Sequence, residues 1–400
     1  MTNFLQVVSF DPLIVENPAT GATGSTGSTG ADGAQGPVGP VGPPALPNSA
    51  ELTLYVSQYG SDNNPGTGPG SPKLTIAAAI AGLNGSPGTV VVAPGGYNIG
   101  TTTITKPANV NLIGAGVTAT VITSTNVSGG HIIDVTGGFS RIRGMKLIGA
   151  VGGGDGIRIE SGLGRIVIED MQIAGVGGNG VTFVNADFLT TLINVEVVSG
   201  HSNGFVFTNG AGTHNSITMI ECYANNNATS GYDIRNAHAV TLIGCAGDNN
   251  LGNAFFMASA RVHLDGCSAE SNTVGGFNIA GSGRYRFTQC TTGTQLLPWN
   301  IGSTGDTIID GCESISTPTG NSITVGAGGT GRNRLIGGTF DRAVSINATG
   351  TLLVDGAGTG TPEAVVVGSV GSTYRRTDGG AVTSFYVKEA NTTAAGWVAK

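Results

Sequence analysis

Residues 218–222 read TMIEC, 241–245 TLIGC, 262–267 VHLDGC, 286–290 RFTQC and 308–312 IIDGC. They end on the five cysteines, Cys222, Cys245, Cys267, Cys290 and Cys312, which recur at successive steps of 23, 22, 23 and 22. The pattern extends backward as IEDMQI around Met171 and LINVEV around Val195, and forward as RLIGG at Gly338. A second motif keeps the same step: GGDGIRI, GNGVTF, SNGFVF, TSGYDI, LGNAFF, VGGFNI and GNSITV, with Gly156, Gly180, Gly204, Gly231 and Gly276 at its turn. A fixed period of roughly 20–50 residues marks a solenoid. Each repeat holds only short β-rich runs broken by Gly and Asn, which leaves no room for a helix. Strands stacked this way pair in parallel, so the fold class is all-β: a right-handed parallel β-helix of about ten coils over residues 109–350.

This register gives the cysteines a place. Five is an odd number, and neighbouring coils lie about 4.8 Å apart. Cysteine is a small, readily buried hydrophobe, so the expectation is a ladder of reduced, inward-facing thiols. With no CxxC or HxxxH spacing, no metal site is expected. A second inward stack is read from Val181/Phe183, Phe205/Phe207, Tyr232/Ile234, Ala254/Phe256, Phe277/Ile279 and Trp299/Ile301, leaving Phe255 and Tyr223 as the outward aromatics. The Asn runs at 225–227 and 249–250 suit left-handed corners and side-chain ladders.

Outside the coils, glycine has another use. Gly21, Gly24, Gly27, Gly30, Gly33, Gly36, Gly39 and Gly42 open eight unbroken triplets over residues 21–44. Strict Gly-X-Y with Pro beside Gly is the signature of a collagen triple helix, because only glycine fits where three chains meet. The stalk would be about 70 Å long at roughly 3 Å per residue and would make the protein a homotrimer. Residues 1–20 carry Phe4, Leu5, Val7, Val8, Phe10, Leu13, Ile14 and Val15, a small apolar anchor suited to docking into a larger assembly.

Composition narrows the function. The 400 residues include 69 Gly, 11% are charged, and the net charge is -7. The first basic residue is Lys73, and the remaining charges nearly cancel. No bulk positive charge exists to attract nucleic acid. No apolar run is long enough to insert into a membrane, and residues 1–20 lack the basic start of a secretory signal. No cofactor is expected.

The segment before the coils, LTLYVSQYGSDNNPGTG (52–68), LTIAAAIAGL (74–83), GTVVVAPGGYNI (88–99) and ANVNLIGAG (108–116), resembles the start of pectate-lyase-like β-helix domains of phage tailspikes. The resemblance implies a short amphipathic helix capping the open end of the solenoid, within a linker and cap spanning residues 45–108. Such a cap is needed because an open end exposes unpaired strand edges. The stretch 368–400, GSVGSTYRRTDGGAVTSFYVKEANTTAAGWVAK, resembles a terminal module of phage virion fibres. From the residues themselves, 351–400 is expected to form a β tip with Asp378-Gly379-Gly380 as a hairpin turn. Its Tyr374, Arg375, Arg376, Tyr386 and Trp397 would pack between three chains or meet a receptor.

The resemblance implies a virion fibre or spike of a bacteriophage, on tail or capsid, that binds a host surface glycan or receptor. Residues 1–20 would attach to another virion protein. The alternative is a polysaccharide-depolymerising spike, since sugar-cleaving β-helices place two carboxylates on one outward face. Its candidates are Glu169, Asp170, Glu196 and Glu221; Asp265, Glu270, Asp310 and Glu313 lie farther along. The plainer role for all of them is a solvated surface, because the coils lack long insertions that would wall a cleft. A third alternative is a collagen-stalked cellular surface protein.

Overall fold

A computed structural model describes residues 51–400, except 161, 185–187, 209–212, 315–320, 327, 328, 330, 341–343, 347–350, 359–360, 363–367, 377–384 and 391–392. The chain divides into two units, Met1–Asn48 and Ser49–Lys400. The first unit lies outside the described residues, and with it the expected anchor and the triplet glycines Gly21 to Gly42.

The second unit is a parallel β-helix with three faces. A 24-stranded sheet wraps the first and second faces, and an 11-stranded sheet forms the third. The first face stacks strands such as Ala237–Ile243, Arg261–Asp265, Arg284–Thr288 and Asp306–Asp310. The second stacks Tyr223–Asn225, Ala246–Asp248 and Ser268–Glu270. The third stacks Tyr232–Arg235, Asn253–Ala258, Gly275–Gly281 and Leu297–Ser303. The parallel ladder runs from Leu52–Val56, paired with Gly88–Val92, to Thr373–Arg376, paired with Leu353–Gly358. It therefore extends past both expected limits, 109 and 350.

One corner repeats through most of the solenoid. Gly144, Asp170, Asn194, Glu221, Gly244, Gly266, Gln289, Gly311 and Gly337 all have φ between 50° and 71°. Each directly precedes the ladder position, held by Met145, Met171, Val195, the five cysteines and last Gly338. The left-handed residue turns the chain from the first face to the second and points the next side chain inward. All five cysteines are buried free thiols. Each donates its S–H to the carbonyl two residues back: Cys222 to Ile220, Cys245 to Ile243, Cys267 to Asp265, Cys290 to Thr288 and Cys312 to Asp310, at 3.4–3.6 Å. Burial pushes the Cys222 thiol up, as expected where no water reaches it.

The third face carries the aromatic stack, with one correction. Phe205, Tyr232, Phe255, Phe277 and Trp299 stack in consecutive coils at centroid separations of 4.3–5.0 Å. Phe255 and Met257 hold the inward pair at 0% exposure; Ala254 is buried as expected, but in the turn slot before the pair, and Phe256 is not inward. Phe256 faces out beneath the Arg235 guanidinium, 4.8 Å from its ring centroid. The cause is an exchange of volume within one coil. Ala254 occupies the slot that Gly231 and Gly276 hold in the neighbouring coils, and Gly247 occupies the slot of Ala224 and Ala269. A Cβ on Gly247 would lie 2.9 Å from the Cβ of Ala254. The methyl has moved across the coil, and the motif lost its turn glycine where LGNAFF was read. Gly247→Ala is expected to cost about 1–3 kcal/mol by overpacking, and adding Ala254→Gly should recover most of it. Purely additive losses in that double-mutant cycle, followed by thermal unfolding, would refute the exchange.

Buried amides line the corner after the second face. Asn250 Nδ2 donates to Asn272 Oδ1 at 2.9 Å and to the Ala224 carbonyl at 3.1 Å. Asn250 Oδ1 accepts from the Asn227 side chain at 2.8 Å and its backbone N–H at 3.0 Å. Asn272 Nδ2 continues to Gln295 Oε1 at 3.2 Å. Asn226 and Asn249, directly before the ladder, take the left-handed conformation (φ 55° and 54°).

The helix α1 (Ile76–Gly82) packs on the first strands with Ile76 and Ala79 buried. Thr75 caps it, accepting from the Ala78 N–H, and the Asp62 carboxylate holds Thr75 and Leu74 in place. Near this end, Lys106 is fully buried, donating to the carbonyls of Pro107, Val110 and Gly137 and to Ser140 Oγ. Burial pulls its pKa from 10.5 down to about 7. Between those values the unfolded chain binds the proton and the folded chain does not, so stability rises with pH across that window. From pH 7 to 9 the wild type should gain up to about 1.4 kcal/mol per pH unit over Lys106→Met. Parallel stability–pH profiles for the two proteins would contradict this.

Candidate functional site

The four carboxylates named from the sequence do not form one site, although Glu169 and Asp170 both lie within 4.0 Å of the Arg143 guanidinium. Glu169 lies on the first face and is half-buried between Arg141 and Arg143, at 3.4 and 3.5 Å. Asp170 and Glu221 occupy the left-handed corner two coils apart, with Asn194 between them donating to Asp170 at 3.0 Å. Glu196 is on the second face, where it accepts from the Gln172 side chain and lies in register with Tyr223. On that face Tyr223 is pushed up to about 12 by burial and by the carboxylates of Asp248, Glu196 and Glu270. Phe255 is no outward platform, because it lies in the core stack. Exposed aromatics on this face are instead Phe139 (62% exposed), which lines a cavity with Arg141, and Phe188 (43%), two coils farther on opposite Gly164. Phe139 holds a left-handed conformation (φ 55°), with the Arg165 guanidinium 5.3 Å from its ring centroid. On the same face, His238 lies opposite Asn215, and His263, one coil on, opposite Thr241 and Arg286.

At the C-terminal end, Thr373–Arg376 pairs antiparallel with Phe385–Lys388, which pairs antiparallel with Trp397–Ala399. The expected hairpin turn at 378–380 lies outside the described residues. Tyr374, Tyr386 and Trp397 form a small cluster within the one chain, each about 7% exposed or less. Lys388 is buried against the Trp397 ring at 5.3 Å and donates to the carbonyls of Thr393 and Ala395. Arg376 is half-buried, and Arg375 and Phe385 (41%) remain exposed.

A broad concavity lies on the first face, built from positions the sequence reading did not single out. An open cavity of about 570 Å³ runs over successive coils. Its outer row is Arg261, Arg284 and Asp306, and its middle row Thr241, His263, Arg286 and Ile308, each in direct parallel register with the next. Alternation puts these residues outward, while Val262, Tyr285 and Phe287 between them point into the core. Arg286 reaches Asp310 at 3.5 Å. Arg332 forks onto Asp306 at 3.1 and 3.0 Å, which lowers the carboxyl's pKa and raises that of the guanidinium. Among the described residues, Arg261 and Arg284 form no ion pair. A second cavity of about 470 Å³ shares both arginines and adds Asn236, His238, Ser259 and Ser282. The arrangement can bind an anionic, hydroxyl-rich ligand along its length. The signal was present in the sequence, where Arg261 and Arg284 stand one coil period apart. Among the described residues, no group of three His, Cys, Asp or Glu could hold a metal ion, and no helix is long and apolar enough to cross a membrane.

No protein-family model matches the chain, and neither does any curated protein. The fold is similar to that of solved structures. The gp42 tailspike of Acinetobacter phage vb_AbaP_AS12 superposes with a TM-score of 0.58 at 13% identity, over 81% of this chain and 70% of that one. ORF18 of Geobacillus virus E2 gives 0.50 at 15% identity over 78% of this chain, which spans 61% of that one's length. A rhamnogalacturonan lyase gives 0.51 at 14% identity, over 68% and 84%. The chain thus has the parallel β-helix shared by phage tailspikes and pectate-lyase-like proteins.

Proposed function

We propose that this chain is a spike or fibre of a bacteriophage virion, a homotrimer that attaches the particle to a host surface glycan without cleaving it. The observation that carries the reading is the arginine-lined groove, which lies open on one face of a β-helix of the tailspike kind. Residues 1–20 serve as the attachment to another virion protein, and the Gly-X-Y triplets of 21–44 wind three chains into a stalk. Three copies multiply weak glycan contacts through effective concentration.

Binding without cleavage is supported by the state of the carboxylates. Glycosidases need two within about 5–10 Å across the scissile bond. Glu169 and Asp170 share the Arg143 guanidinium, Glu221 lies two coils beyond Asp170 in the left-handed corner with Asn194 between them, and Glu196 faces elsewhere. A depolymerase remains the competing reading, favoured by the acidic cluster around Tyr223. Purified full-length protein should adsorb to host cells, block phage adsorption, release no reducing sugar from their polysaccharide, and have the mass of three chains. Sugar release would replace this reading with the enzymatic one. A monomer at micromolar concentration would remove the trimer.

A further inference from the structure

We infer that the first-face groove is a subsite for an acidic sugar chain, with Arg261 and Arg284 gripping its negative group and the adjoining amide and hydroxyl side chains its sugar hydroxyls. The inference deepens the attachment reading and rests on it only in taking a surface glycan as ligand.

Three observations support it. First, Arg261 and Arg284 are directly paired in neighbouring coils, so two like-charged side chains leave backbones about 4.8 Å apart along the solenoid. Like charges directly opposite are destabilising; among the described residues neither forms an ion pair of the kind Arg286 and Arg332 have, and Arg284 acts on Asp306 only as a weaker, secondary charge beside the Arg332 fork. Asp306, in register with Arg284, is taken up by the Arg332 fork. An anion between the two arginines relieves the repulsion and receives two planar forks, the geometry that suits carboxylate and phosphate. Second, the cavity that shares these arginines is lined by Asn236, Ser259 and Ser282, groups that exchange hydrogen bonds with a polyol and not with a bare ion. Third, the two cavities flank the same two arginines, and each follows the stack of coils. The ligand is therefore extended, and one coil step is comparable to one pyranose of an extended chain.

The test uses the full chain and three probes: a uronate oligosaccharide, the same oligosaccharide after carboxyl reduction, and a phosphate-bearing glycan oligomer. Calorimetry should show binding of an acidic probe that weakens with salt and is lost for the carboxyl-reduced one. Whichever acidic probe binds identifies the anion as carboxylate or phosphate. The double variant Arg261→Gln/Arg284→Gln should lose at least about tenfold in affinity with unchanged thermal unfolding, since both side chains are exposed. The single variant Arg261→Lys should fall between, keeping charge but not the fork. Equal binding of the carboxyl-reduced and uronate probes, or undiminished binding by the double variant, overturns the inference. Host-cell adsorption separates the two readings. Adsorption that survives the double variant removes the groove and leaves attachment standing. Wild-type protein that binds acidic oligosaccharide but no cell removes attachment and leaves the groove.

Discussion

Phe255→Ala is expected to destabilise the solenoid by about 3–5 kcal/mol, and Phe256→Ala by less than about 1 kcal/mol. The two phenylalanines are chain neighbours of equal size, so composition and propensity do not separate them. Phe255 is fully buried between the Tyr232 and Phe277 rings, at 4.5 and 5.0 Å. Truncation there removes ring contacts on both sides and leaves a void that two well-packed coils cannot close. Phe256 loses only a half-buried surface contact with Arg235. Chemical denaturation, read as the midpoint shift of the first transition, checks both variants, since a stacked array can unfold in parts. Equal losses, or a larger loss at Phe256, would restore the Ala254/Phe256 alternation expected from the sequence.

The second large effect is in the amide ladder. Asn250→Asp keeps the two hydrogen bonds accepted from Asn227 but loses both donations, and it sets a carboxylate oxygen against Asn272 Oδ1 and the Ala224 carbonyl. A buried charge facing acceptors is expected to cost about 3–5 kcal/mol at neutral pH. The loss should shrink as pH falls, because burial raises that carboxyl's pKa and its protonated form donates again. Asn250→Leu, which has no proton to regain, should be destabilised at every pH. A pH-independent loss for the aspartate variant would show that shape, and not hydrogen-bond polarity, governs the corner.

These two positions mark the reach of the sequence. The cysteine spacing alone was enough to call for stacked coils, because a fixed period leaves each strand one neighbour in the preceding turn and one in the next. The left-handed corner was also legible in outline, as Gly or Asn at the bends. Its occupation by Asp170, Glu221 and Gln289 was not, since non-glycine residues seldom take a positive φ. That corner explains the carboxylates. Asp170 and Glu221 are spent on it, Glu196 lies on the second face, and Glu169, on the first, is held by arginines. Residues 1–44 were readable only as pattern, an apolar start followed by Gly at every third position of the triplets.

The sequence by itself determined the architecture: a fixed repeat, a buried polar and apolar set in each coil, and a helical cap before the first turns. This is possible because parallel stacking places residues one period apart in direct contact, so periodicity in the chain is proximity in space. What only the tertiary structure decided is register to a single residue and the site that depends on it. Within one coil the Gly247/Ala254 exchange preserved volume while breaking the motif, and volume is a property of the packed layer, not of the string. The groove needed the same information. Arginines one period apart are neighbours only once the face they point from is known, and whether a guanidinium is free depends on carboxylates from other coils.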